Sequence, residues 1–106
     1  MTLVAAADRD EVVSGLLRLK PRLRARGVTG LAIFGSRARG DHRPDSDLDV
    51  LIEIEPDKKF SLLDLVGLAH VIGDELGIQA NLFMRRSLEP QMLASIRPDI
   101  IEIFHD

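Results

Sequence analysis

Apolar positions divide the chain into alternating helical and extended stretches. Val12, Val13, Leu16, Leu17, Leu19 and Leu23 recur near helical period, which predicts a helix over residues 8–26. Asp8, Asp10 and Glu11 open it, Arg22, Arg24 and Arg26 crowd its end, and Gly27 stops it, as the helix dipole favours. Pro21 lacks an N–H and should kink or split it. Residues 28–34 end in the run Leu31-Ala32-Ile33-Phe34, the pattern of a strand buried on both faces. Residues 35–40 form a turn that opens a short helix, and the polar 41–46 stretch, with Pro44, is a loop. Strict alternation over residues 47–55 predicts a strand with Leu48, Val50, Ile52 and Ile54 on one face and Asp47, Asp49, Leu51 and Glu53 on the other.

A second helix is expected from Ser61, as N-cap with Asp64 at N3, to Glu75 or Leu76, closed by Gly77. Its core stripe should be Leu62, Leu65, Val66, Leu68, Ala69, Ile72 and Leu76, with Leu63, His70 and Val71 outside it. Residues 78–84 read as a third strand. Ser87 is placed to cap a short helix over residues 90–96, and residues 100–104 read as a closing strand. This order predicts an α+β (α/β) domain with a small mixed sheet flanked by helices. At 106 residues, one domain spanning 1–106 is expected.

The chemistry gathers around one turn and one strand. Asp47 and Asp49 are two apart, so on a strand they project together. Side by side they repel unless a cation lies between them, and such oxygen ligands suit Mg²⁺. The Gly35-Ser36 turn offers backbone N–H groups and a hydroxyl to a phosphate. Ser36 also serves as a plain N-cap, since capping and phosphate binding use the same geometry. Without that turn, the two aspartates would read as a solvent-facing strand edge. Asp45 reads as a turn residue, His42 as a loop residue beside the site, and Arg37 as solvent-exposed.

Gly35-Ser36, ten residues, then Asp47-Leu48-Asp49 spell GSx10DxD. This resembles the signature of nucleotidyltransferases of the DNA polymerase β superfamily. The longer string GSRARGDHRPDSDLDVLI is similar to the minimal nucleotidyltransferase (MNT) group, written GSxARGxxxxxSDxDLxV, with Val50 in place of its Leu or Ile. The resemblance implies a nucleotidyltransferase core in which Gly35, Ser36 and Arg39 bind nucleotide. Asp47 and Asp49 are then the catalytic and metal residues, holding one or two Mg²⁺ ions against ATP. Active relatives commonly carry a third aspartate where this chain has Asn81. An Asn carbonyl can ligate a metal, which keeps Asn81 a candidate ligand, but it cannot take up a proton. Glu53 and Glu89 are possible substitutes.

Minimal proteins of this group are often the antitoxin of a HEPN ribonuclease toxin. The resemblance therefore implies transfer of AMP to a partner hydroxyl, a toxin tyrosine, with release of pyrophosphate. The alternative is a non-catalytic antitoxin that neutralises the toxin by complex formation, and a third reading is a transferase for a small molecule. Composition limits the other classes. A net charge of −3 argues against broad nucleic-acid binding, and the absence of Trp and Tyr argues against base-stacking platforms. Eleven of the 14 basic residues are Arg, suited to bidentate phosphate or carboxylate contacts as well as to a solvated surface. No cysteine means no disulfide and no thiolate metal site, which fits a reducing cytoplasm. No signal peptide and no membrane-spanning apolar run is expected.

Overall fold

The computed structural model describes residues 8–105. Among the described residues, four helices and four strands follow in the order α1 (Arg9–Ala25), β1 (Val28–Phe34), α2 (Ser36–Arg39), β2 (Leu48–Ile54), α3 (Leu62–Leu76), β3 (Ala80–Met84), α4 (Pro90–Ile96) and β4 (Ile101–His105). Short 3₁₀ turns, Arg85–Ser87 and Arg97–Asp99, bracket α4. The strands form one sheet in the order β3-β2-β1-β4. β1 runs antiparallel to both β2 and β4. β2 and β3 are parallel, joined by α3 as the crossover that parallel neighbours require. The expected α+β class with a mixed sheet is borne out. Among the described residues, no helix is long and apolar enough to cross a membrane.

The sheet is covered on both faces. On one, α1 contributes Val12, Leu16, Leu19 and Leu23, and α3 contributes Leu68, Ile72 and Leu76, packed on Leu31, Ile33, Val50 and Ile52. On the other, Ile96 of α4 packs on Ala32, Phe34 and Leu51. Leu51 shares its face with Asp49, yet it is 1% exposed. Alternation shows which residues share a face, but not whether a distant helix covers it.

Pro21 was expected to kink or split α1; it does not split it, and the helix runs unbroken from Arg9 to Ala25. The carbonyl that would accept from residue 21 belongs to Leu17. Leu17 and Pro21 both lie on the exposed side, so water can replace the lost bond at little cost. The α3 stripe is narrower than its periodicity implied. Leu62 and Val66 are 75% and 45% exposed, whereas Val71, expected outside the stripe, packs partly against the core. The buried ridge is Leu68-Ile72-Leu76, at spacings of four, and of the first turn only Leu65 packs partly against the core. Ser87 does not cap α4. Glu89 holds that position without a side-chain bond, and Pro90 starts the helix, where a missing N–H costs nothing.

The Ser61–Asp64 capping box is present. Ser61 Oγ accepts from Asp64 N at 3.2 Å, and Asp64 Oδ2 accepts from Ser61 N at 2.8 Å. Ser61→Ala is expected to remove about 1 kcal/mol of stability. Urea denaturation should show a lower midpoint at an unchanged m-value.

Candidate functional site

The site is built where β1 ends and β2 begins. Antiparallel register sets Phe34 opposite Asp49, so the chain turns out of β1 at Gly35, directly against the Asp49 side chain. Gly35 has φ of +79°, and a Cβ there would collide with the Asp49 carboxylate. Glycine is thus required twice, for its backbone angle and for its lack of bulk. Ser36 opens the four-residue α2, and its carbonyl accepts from Gly40 N at 2.9 Å and Asp41 N at 3.1 Å. Gly40, with φ of +87°, ends that turn.

Three side chains meet beside it. Parallel pairing puts Asn81 of β3 next to Asp49. Asn81 Nδ2 donates to Asp47 Oδ2 at 3.1 Å and reaches Asp49 Oδ1 at 3.5 Å. Asp47 lies one residue before β2 and is exposed, while Asp49 is half-buried. Burial pushes the Asp49 carboxyl above its ordinary range, and the Asp47 charge adds to this; the Asn81 hydrogen bond and the Arg39 charge oppose it.

Among the described residues, no cluster of three or more His, Cys, Asp or Glu side chains is positioned for a metal ion. The reason is local, because the third group beside the two aspartates is an amide. The donor set still fits a hard divalent cation. Two carboxylates converge on one electropositive N–H₂ group, and Mg²⁺ commonly uses one or two protein carboxylates and fills its other positions with water and phosphate. Rotation of the Asn81 amide would turn its carbonyl oxygen toward such an ion.

The two arginines of the turn part company. Arg39 is exposed and turned toward its own scaffold, with Nε 3.1 Å from Asp41 Oδ2 and Nη1 3.0 Å from Asp99 Oδ2. These bonds raise its pKa further above the ordinary arginine value. Arg37 was expected in solvent, but it is 1% exposed. Its Nε donates to Ser46 O at 2.9 Å and its Nη2 to Pro44 O at 3.1 Å. Carbonyls of the following loop replace water around the guanidinium, which is what makes burial tolerable. Nothing in the local sequence separates this arginine from a solvated one.

The remaining candidates lie apart. Glu53 is half-buried near the far end of β2. It pairs with His105 Nε2 at 3.2 Å and lies 4.0 Å from Arg85 Nε. It lies four steps along the strand from Asp49, about 13 Å at the usual rise. Glu89 heads α4. Asp45 is exposed in the turn, and His42 is half-buried in the same loop.

This fold and this pairing of a turn with a strand end define a class. A model of the nucleotidyltransferase domain matches residues 16–104, and the chain belongs to that family and is a nucleotidyltransferase. Protein adenylyltransferase MntA of Thermococcus cleftensis is 32% identical over 101 residues, covering 94% of this chain and 100% of the relative. A solved structure described provisionally as a minimal nucleotidyltransferase superposes with a TM-score of 0.75 at 27% identity, over 90% of this chain and 95% of the other. The fold also matches a chain in a solved complex of tri-AMPylated Shewanella oneidensis HEPN toxin with MNT antitoxin. There the TM-score is 0.67 at 14% identity, over 92% of this chain and 73% of that one.

Proposed function

We propose that this chain is a protein adenylyltransferase antitoxin. It transfers AMP from Mg-ATP to a hydroxyl, a tyrosine of a partner HEPN ribonuclease toxin, and releases pyrophosphate. The observation that carries the reading is the convergence of Asp47, Asp49 and Asn81 beside the Gly35 turn. The name of the Thermococcus relative supports the adenylyl donor, and the Shewanella complex supports the toxin partner. The reading takes residues 1–106 as one minimal nucleotidyltransferase domain working in the cytoplasm, where ATP is supplied.

Each residue has a role. Asp47 and Asp49 would hold Mg²⁺, with the Asn81 carbonyl as a further ligand once its amide has turned; the ion would supply charge neutralisation and orientation of the triphosphate. The N–H groups and hydroxyl of Gly35 and Ser36 bind the β- and γ-phosphates. Arg39 exchanges its carboxylate partners for phosphate oxygens. The toxin hydroxyl oxygen forms a bond to the α-phosphorus, and the bond from that phosphorus to pyrophosphate breaks. Such transfer rests mostly on positioning and charge neutralisation. Asn81 cannot accept the hydroxyl proton, which leaves Asp47, Asp49 or water to take it.

The neutral Asn81 also favours a second reading, a non-catalytic antitoxin that blocks its toxin by contact. One experiment separates the two. The protein is incubated with Mg²⁺, ATP labelled on the α-phosphate and a co-encoded HEPN protein. Catalysis is expected to label the partner, with no label from Asp47→Ala. An unlabelled partner whose ribonuclease is still neutralised by Asp47→Ala and Asp49→Ala would establish the contact mechanism instead.

A further inference from the structure

We propose that Arg37 is a positioning residue that locks the loop carrying Asp47 to the turn carrying Gly35 and Ser36. The proposal rests on the nucleotidyltransferase reading of this site.

Asp47 cannot be held by the sheet alone. Regular β2 begins only at Leu48, whose N–H donates to Gln79 O at 2.8 Å. The position of Asp47 therefore depends on residues 41–46, which have no strand or helix of their own. Two bonds close that loop on itself: Ser46 N donates to Arg43 O at 3.0 Å, and Arg43 N to Ser46 Oγ at 2.9 Å. A loop closed on itself is still free to swing as a unit. The Arg37 bonds to Pro44 O and Ser46 O remove that freedom by tying the loop to α2.

α2 is itself fixed. Ala38 is buried in the main core, and Arg9 Nη1 donates to Ala38 O at 2.9 Å, which joins α2 to the start of α1. One side chain thus connects the phosphate-facing turn to the residue just before the first aspartate. The bonds are directional and made to the main chain, so they set the Asp47 backbone itself. Among the described residues, Arg37 is the one charged side chain that is buried. Burial of a guanidinium is costly unless its geometry is well satisfied, and a merely structural position would be filled as well by an apolar side chain.

Arg37→Met removes both the charge and the bonds. Arg37→Lys keeps the charge but lacks the planar fork that reaches two carbonyls. The test is Mn²⁺ titration followed by EPR, with a non-hydrolysable ATP analogue present, alongside transfer kinetics and thermal melting. Arg37→Met is expected to weaken Mn²⁺ binding roughly 10- to 100-fold, the range for partners that hold a metal's ligands, with Arg37→Lys falling between it and wild type. In transfer kinetics the metal requirement should rise while KM for the acceptor holds. Ser61→Ala, which costs stability far from the site, should leave Mn²⁺ affinity unchanged. A folded Arg37→Met that binds Mn²⁺ as wild type does would overturn the proposal; if that variant fails to fold, the same result from Arg37→Lys would. Wild-type protein that binds no Mn²⁺ would overturn it as well. Wild-type protein that binds Mn²⁺ but transfers no AMP would sink the proposed activity alone, because the Arg37 effect is read from the affinities.

Discussion

Asp49→Asn is expected to abolish nucleotidyl transfer and, at neutral pH, to raise the melting temperature. The loss of activity follows from chemistry. A charged ligand becomes neutral at the point where a cation must neutralise polyphosphate. The effect should exceed the 10- to 100-fold typical of outer partners and reach about 10³-fold or more. The gain in stability follows from linkage. Burial, with the Asp47 charge, raises the Asp49 pKa in the folded state above the ordinary value of 3.8. Between that value and the raised one, the folded protein binds more protons than the unfolded chain. Stability therefore falls as pH climbs through this window, and the deficit is complete above it. The amide removes the deficit and can still accept the Asn81 hydrogen bond. Melting curves of the two proteins should converge in acid below the ordinary aspartate range and separate toward neutrality, with the variant higher. A variant that melts lower at neutral pH, or that still transfers AMP, would contradict the argument.

Gly35→Ala should damage both stability and activity. The backbone there has φ of +79° and ψ of −161°, a region that only glycine occupies without strain. The strain alone should cost about 1–3 kcal/mol. In a domain of this size, that lowers the melting temperature by roughly 4–8 °C per kcal/mol. The new methyl group also strikes the Asp49 carboxylate, which has to move. Displacement of a catalytic group by about 1 Å can cost on the order of 10²-fold. Transfer should therefore fall much further than the folded fraction does, as measured by kcat beside circular dichroism at the assay temperature. Wild-type turnover in this variant would mean that the Gly35 contact with Asp49 has no role in the chemistry.

Much of this was legible in the residues. Alternation located β2, and the joint spacing of Gly35, Ser36, Asp47 and Asp49 pointed to one site before any pairing was known. What stayed hidden depends on contacts between distant segments. Asn81 meets the aspartates because β3 pairs parallel with β2, a register that no local pattern encodes. The importance of Asn81 came from family resemblance, not from periodicity. Arg37 was misread because a charged residue in a turn normally faces water, and only the folded loop supplies the carbonyls that receive it. Leu62 and Val66 follow the period of α3 correctly, but a period cannot report where the supporting layer ends.

The strand order carries one more implication. β1, which leads into the turn, and β2, which carries Asp49, are the two inner strands, each flanked on both sides. Asn81 belongs to β3, at the rim. Sheets fray from the rim inward, and local openings begin where fewest neighbours resist them. Asp49 thus rides on a strand braced from both sides, while the amide beside it sits on an outer strand.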